Sequence, residues 1–221
     1  MTSDPYKGMS VTYNFLNLPN TFTWGSGSTT KTIQILYDAS GRKLRKTVTD
    51  GGVQAYRQDY VGGIEYRTTN TVSLSLESIY HPEGRVFNTN TGTTGADALR
   101  YEYSIKDHLG NTRLTFTDKN NNGRVDVGTT SANEVLSESH YYPFGLAMNG
   151  PWMDDAAARD NPYKYNGKEL NSDFGLGWYD YGARWYDASL GRWGVVDPMA
   201  EQYTPWSGYN YVINTLIVSL F

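Results

Sequence analysis

The 221-residue sequence has no cysteine and only three histidines, His81, His108 and His140. The first absence excludes a disulfide framework and any thiolate-ligated metal, and the second leaves too few imidazoles for a histidine-rich metal cluster. The histidines beside tyrosines or turns, His81 and His140, read as polar sheet positions. No charge of one sign dominates: 19 Lys and Arg stand against 23 Asp and Glu, for a formal net charge of -4. That balance offers no basic footprint for nucleic acid. No run reaches the ~18 apolar residues of a membrane span. Neither Met1-Thr2-Ser3-Asp4-Pro5 nor any later segment has the basic, apolar and small-residue order of a signal peptide. The sequence also contains no Gly-x-Ser-x-Gly elbow, no P-loop and no Gly-x-Gly-x-x-Gly fingerprint. Gly25-Ser26-Gly27-Ser28-Thr29-Thr30 reads as a flexible hairpin loop.

What is present in quantity is tyrosine, at 19 residues, and glycine, at 23. Aromatic and β-branched residues suit a pleated, half-buried surface, while glycine supplies the positive φ of tight turns, so an all-β chain of short strands is expected. Thr32-Ile33-Gln34-Ile35-Leu36-Tyr37 and Val72-Ser73-Leu74-Ser75-Leu76-Glu77 alternate nearly every second position. Helix is expected only in two short pieces, over 154–159 and 198–202.

An internal repeat organises the strands. Tyr37-Asp38-Ala39-Ser40-Gly41-Arg42 is matched by Tyr80-His81-Pro82-Glu83-Gly84-Arg85 and, with one added residue, by Tyr186-Asp187-Ala188-Ser189-Leu190-Gly191-Arg192. Lys106-Asp107-His108-Leu109-Gly110-Asn111 is a looser relative, and Tyr13-Asn14-Phe15-Leu16-Asn17-Leu18 has the same shape with Asn17 where glycine would stand. Weaker members begin at Tyr60, Tyr142, Tyr165 and Tyr209, so the successive steps are 24, 23, 20, 26, 36, 23, 21 and 23 residues. A step of ~20 to 26 residues is two strands and two turns, one hairpin per repeat. In each unit the aspartate or asparagine can accept backbone N–H groups ahead of it as an Asx-turn, and glycine takes the φ > 0 position. Tyrosine is expected to bury its ring and leave its hydroxyl wet. Arginine can stack on a neighbouring ring or pair with an aspartate of the adjacent repeat.

These Tyr-Asp-x-x-Gly-Arg units resemble the YD repeats of the RHS family, and the C-terminal third is similar to the RHS repeat-associated core domain. The motifs that carry the resemblance are Asp107-His108-Leu109-Gly110-Asn111-Thr112-Arg113, His140-Tyr141-Tyr142-Pro143-Phe144-Gly145, Tyr163-Lys164-Tyr165-Asn166-Gly167-Lys168, Gly177-Trp178-Tyr179-Asp180-Tyr181-Gly182-Ala183-Arg184-Trp185-Tyr186-Asp187 and Asp197-Pro198. It implies a spiralling ribbon of antiparallel hairpins that forms a hollow shell around a C-terminal toxin, with the core domain as a plug that cleaves the chain in many members. The expected organisation is YD-repeat-like hairpins over 1–117, a polar insertion loop over 118–134, the core domain over 135–214 and an aberrant apolar tail over 215–221. That tail stands where the family continues to its cleavage motif, so the chain reads as a truncated or frameshifted piece without toxin or cleavage motif. The resemblance also implies as partners the remainder of a shell or its enclosed toxin, and an exported or cell-surface location for intact relatives.

Candidate sites are few. Asp118, Asn120 and Asn122 with Gly123 and Asp126 have the spacing of a calcium loop, but Thr129 stands where a bidentate glutamate is needed. The alternative is a solvated asparagine-rich turn. Asp197-Pro198 reads as an N-cap with proline at the first helical position; the resemblance adds that some members pair such an aspartate with one in the absent motif. Trp178 and Trp185 lie in an aromatic run that either forms an exposed sugar-stacking platform or packs between ribbon layers. The main expectation is therefore a non-enzymatic structural β-protein of the RHS toxin-shell type, without a cofactor unless calcium. A cell-surface glycan- or protein-binding β-repeat module is the alternative. Unpaired sheet edges lead to expected self-association.

Overall fold

The structure is a computed structural model that describes residues 2–70, 73–89, 98–128, 133–149 and 161–214. Its larger sheet consists of β1 (Ser3–Asp4), β2 (Met9–Tyr13), β3 (Pro19–Trp24), β4 (Lys31–Tyr37), β5 (Lys43–Asp50), β6 (Val53–Val61), β7 (Ile64–Thr69), β8 (Ser75–His81), β9 (Gly84–Asn88), β10 (Leu99–Lys106), β11 (Thr112–Phe116) and β12 (Val135–Glu138). Each strand pairs antiparallel with the next in the chain, so spatial order is sequence order. A smaller antiparallel meander comes next: β13 (Glu169–Asn171), β14 (Trp178–Asp180), β15 (Trp185–Asp187) and β16 (Arg192–Trp193). β12, at the start of the segment expected to form the core domain, is hydrogen-bonded to β11 and belongs to the first sheet.

Turn chemistry sets this meander. Asp38 Oδ1 accepts the Ser40 and Arg42 N–H groups, both at 2.9 Å, and its backbone oxygen accepts Gly41 N–H at 3.0 Å, with Gly41 at φ +85°. Asp107 repeats the pattern with Leu109 and Asn111, and Asn14 repeats it with Leu16 and Leu18. Asn17 there holds φ +58°, the left-handed conformation that asparagine tolerates best among non-glycine residues. The register shifts by one residue just before all three turns, between Thr12 and Tyr13, Leu36 and Tyr37, and Ile105 and Lys106. The five-residue loop thus comes with a β-bulge that re-aims the strand. The β5–β6 and β6–β7 hairpins instead use Gly51-Gly52 and Gly62-Gly63, with both φ values positive as a type I′ turn requires.

The Tyr80 unit departs from its expected form. Its turn is the two-residue Pro82-Glu83, and Gly84 already pairs with His81 as the first residue of β9. Glycine is required there by close approach: a Cβ on Gly84 would lie 2.0 Å from the Glu102 carbonyl oxygen on β10. The helix expected over 198–202 is a 3-10 turn, Ala200–Tyr203. Asp197 accepts Met199 N–H through Oδ1 and Ala200 N–H through its backbone oxygen, so it opens a tight turn and no α-helix. The piece expected over 154–159 lies outside the described residues, as does the tail 215–221.

One face of the large sheet packs on the small one. At the β2–β5 end the buried side chains are Met9, Val11, Phe22, Ile33, Ile35 and Val48, which pack with Trp178 and Trp185 of the second sheet and with Leu176 just before β14. A second cluster, Tyr165, Tyr179, Tyr186, Ala188 and Tyr211, lies on the other side of β14 and β15. Farther along the large sheet the inward positions turn polar: Lys46, Gln58, Glu65, Glu77, Arg85 and Glu102 are all buried. Gly84→Ala is expected to lower the thermal midpoint strongly, since backbone must shift to admit the methyl. Gly62→Ala meets open space and is expected to cost only about 1 kcal/mol for its positive φ. Thermal melts of the two variants side by side check the contrast.

Candidate functional site

The polar half of the buried face is the most elaborate side-chain constellation among the described residues. Lys43 and Lys46 extend from β5 toward β13. Lys43 Nζ donates to Glu169 and, at 2.7 Å, to Asp180 Oδ2 on β14. Lys46 Nζ lies 3.2 Å from Asp173 Oδ2, 3.3 Å from Asn171 Oδ1 and 3.7 Å from Glu169 Oε1. Tyr60 donates its hydroxyl to Glu169 Oε1 at 2.9 Å, and Tyr56 donates to Asp173 Oδ2 at 2.6 Å. The Lys43 ammonium also stands 4.4 Å from the Tyr60 ring centroid, a cation–π contact.

Each charge here is removed from water and would be costly alone. Burial opposes ionisation of Glu169, but Lys43 and Lys46 outweigh it and hold the carboxyl below its usual range. One strand further, on β7, Glu65 has no lysine contact of that kind. It accepts the Tyr163 hydroxyl at 2.7 Å and the Gln58 amide, and burial together with the Glu169 charge pushes it up to about 7. On β10 Glu102 takes two nitrogens of Arg85, at 3.0 and 2.7 Å, and the Asn161 amide at 2.7 Å. At the opposite end Lys7 reaches Asp187 at 3.0 Å and the Leu176 carbonyl at 2.7 Å, and Trp178 Nε1 donates to the same aspartate at 2.7 Å. Ion pairs and hydrogen bonds therefore bridge the two sheets along most of their contact.

Glu65 is raised and Glu169 lowered, each by its own surroundings, and among the described residues no hydrogen bond joins the two carboxyls. Both carboxylates are filled by protein donors, with 2% and 3% of the residue exposed. A cleft of about 390 Å³, lined by Tyr60, Glu65, Tyr163, Lys168 and Asp180, opens beside them. Chemically the arrangement is suited to joining sheets.

The residues singled out from sequence scatter around this junction. Trp178 and Trp185 are 0% and 1% exposed, so they form no sugar-stacking platform; they meet Phe22 at 5.7 and 5.1 Å between centroids, as core. Tyrosine side chains expected to leave their hydroxyls wet are instead enclosed by protein partners. Tyr37 donates to the Pro19 carbonyl and accepts Trp185 Nε1, Tyr186 donates to the Phe144 carbonyl, and the Tyr80 ring packs edge-on to Tyr163 at 4.5 Å. The three arginines differ: Arg42 folds back on Asp38 in its own turn, Arg85 pairs with a glutamate, Glu102 on β10, where an aspartate was expected, and Arg192 is exposed. The Asp187 turn keeps the repeat geometry, with Ser189 N–H on Oδ1 and Gly191 at φ +64°. Asp197 pairs with Arg184; despite partial burial, Met199 N–H and Arg184 hold its carboxyl below the usual range.

The loop with calcium spacing is closed by its own backbone. Asp118 accepts Asn122 and Gly123 N–H, Asn120 Oδ1 accepts Asn122 N–H, and the Asn120 amide donates to Asp126 at 2.9 Å. Thr129 lies outside the described residues, and among those described no group of three or more His, Cys, Asp or Glu residues is placed to hold a metal ion. Sequence spacing missed Glu134, which is 1% exposed and clamps the loop by accepting Asp126, Lys119 and Asn120 N–H groups. Those bonds hold its carboxyl below the usual range.

No family model matches the chain. Toxin subunit YenC1 of Yersinia entomophaga is 27% identical over 73% of the chain, and toxin subunit YenC2 is 24% identical over 73%. Salivary gland surface protein 1 of Aedes aegypti is 27% identical over 84%. The crystal structure of TcdB2-TccC3-Cdc42 covers 95% of the chain at 22% identity with a TM-score of 0.71. The fold is that of the Tc toxin β-shell. The likeness to these toxin subunits covers 73% of the chain. It spans only 16% of YenC1, 5% of the salivary protein and 10% of the TcdB2-TccC3 chain.

Because this Tc-shell fold joins its sheets through buried charges, removing one partner strands the other. Lys43→Ala is expected to cost about 3 to 5 kcal/mol in urea denaturation. Arg42→Ala, in an exposed turn pair, is expected to cost less than about 1 kcal/mol.

Proposed function

We propose that this chain is a wall segment of an RHS toxin shell, a structural and non-catalytic element whose complete relatives enclose and deliver a toxin. The carrying observation is the likeness over nearly the whole chain to a small fraction of TcdB2-TccC3. Packing supports the same reading, because the buried acids Glu169 and Glu65 are taken up in contacts between the large sheet and the segment that packs on it. The relatives named as toxin subunits support association with further shell strands or subunits. In the described residues β1 and β12 bound the large sheet, so edge-to-edge association is expected. Sedimentation velocity over a concentration series is expected to show self-association, and a clean monomer throughout would count against the proposal. Intact mass after prolonged incubation is expected to stay near 24.8 kDa. A discrete shorter product that disappears in Asp197→Asn would instead make the chain a self-cleaving enzyme.

A surface-binding role is the second reading, favoured by the name of the mosquito relative and by one exposed feature. Tyr101 and Tyr103 on the outer face of β10 are 59% and 37% exposed, with ring planes 14° apart. On this reading a glycan array gives binding that Tyr101→Ala abolishes; a blank array removes it.

A further inference from the structure

On β10 the usual alternation runs inside out. Its inward positions are Arg100, Glu102 and Ser104, while Leu99, Tyr101, Tyr103 and Ile105 point away from the second sheet. Register extends the apolar side across the neighbouring strands. Val61 on β6 stands opposite Ile64, Ile64 opposite Ile79, Ile79 opposite Val86, and Val86 opposite Tyr101. This row is on the outer face, because Tyr60, Glu65, Tyr80 and Arg85 alternate with it and face the second sheet. Tyr103 stands opposite Phe116, their rings stacked at 5.6 Å, and Ile105 stands opposite Leu114. Val61, Leu99, Tyr101 and Ile105 are each more than half exposed.

We propose that this outer face, from β6 to β11, is where a second copy of the chain packs, sheet against sheet, in a two-fold dimer. The proposal goes beyond the shell reading, whose association runs through strand edges and does not close at two.

The two faces of the large sheet change character together. At the β2–β5 end the inner side is apolar, and the outer side carries Gln34, Arg45 and Thr47 around a single exposed Leu36. From β6 onward the inner side is ionic and the outer side is the apolar one. A lone exposed leucine is ordinary on a soluble surface, whereas a contiguous apolar face marks a contact surface. At ~4.8 Å between strands and ~3.4 Å per residue the face measures roughly 24 by 20 Å, on the order of 500 Å². A stable dimer removes about 800 Å² from each partner, as an apolar centre within a polar rim. The face therefore supplies the dry centre, and its surroundings supply the rim.

Charge placement favours a copy of the same chain as the occupant. The row and the outer side of β10 carry no charge, so two copies meet there without repulsion. The charges of this face lie at opposite corners. Arg45 and Arg57 share one aspartate, Asp59, and Arg57 is four residues before Val61 on β6. Glu138 stands opposite Leu114, level with Ile105, which is four residues past Tyr101 on β10. Since β6 and β10 run in the same direction, one corner has an excess of positive charge and the diagonally opposite corner is acidic. A two-fold axis along the other diagonal sets each positive corner over the acidic corner of the second copy. It also crosses the strands near a right angle, one of the two ways in which sheets pack.

Sedimentation equilibrium of the full chain over a concentration series is expected to fit a monomer–dimer equilibrium that closes at two. Val61→Glu and Tyr101→Glu, at exposed positions on the two ends of the row, are each expected to weaken dimerisation at least about tenfold. Leu36→Glu, as exposed but outside the face, is expected to leave it unchanged. Because the chain has no cysteine, Val86→Cys, midway between the charged corners, gives an independent reading. A short bismaleimide is expected to join two copies through that position and not through Gln34→Cys at the polar end. A monomer at every concentration, association that grows past two, a dimer indifferent to both glutamate variants, or equal cross-linking at the two cysteine positions overturns the proposal. A monomer that binds a glycan array through Tyr101 gives the face to a saccharide and overturns it as well.

Discussion

Burial of charge between the two sheets is the constraint on which the rest of the structure depends. Glu169 cannot be ionised inside the protein without Lys43 and Lys46, and those lysines cannot be buried without Glu169, Asp173 and Asp180. Because the cations sit on β5 and the acids on β13, β14 and the turn between, neither sheet can leave the other without stranding charge. The pairing makes registry between the sheets specific in a way that apolar contact alone does not.

Next to this polar seam lies an ordinary hydrophobic core, and the two divide the work. Phe22, Ile33 and Val48 supply non-directional burial against Trp178 and Trp185, which drives the sheets together. The ionic seam then sets how they meet. Aromatic residues join the halves: Tyr37 lies against the core and bonds Trp185, while Tyr60 stacks under Lys43 and bonds Glu169. The abundance of tyrosine thus has a physical use, since each ring fills core volume and each hydroxyl satisfies a buried polar partner.

The same economy of backbone donors recurs in the turns and in the insertion loop. Asp38, Asp107 and Asn14 each satisfy two N–H groups of a five-residue loop, and Glu134 satisfies three in the loop over 118–126. An acidic or amide side chain at a loop origin can therefore look like a metal ligand in sequence while serving backbone amides in the fold.

Sequence alone determined the strand content and the Asx-turns at Asn14, Asp38 and Asp107, though not the tighter Pro82-Glu83 turn, because these depend on local φ preferences and on donors a few residues away. Asn17 in a glycine position and the Asp38 turn were legible for that reason. Tertiary structure decided the fate of the inward-facing side chains. Alternation marks which positions face inward, but it does not announce that Lys46, Glu65, Arg85 and Glu102 are buried, which depends on ion pairs and hydrogen bonds from partners distant in sequence. Trp178 and Trp185 illustrate the converse: an aromatic run fits an exposed platform or a core equally well until the opposing sheet, more than a hundred residues earlier in the chain, covers it. Pairing across such a span leaves no local spacing to read, so charge burial and the joining of the sheets belong to the tertiary structure.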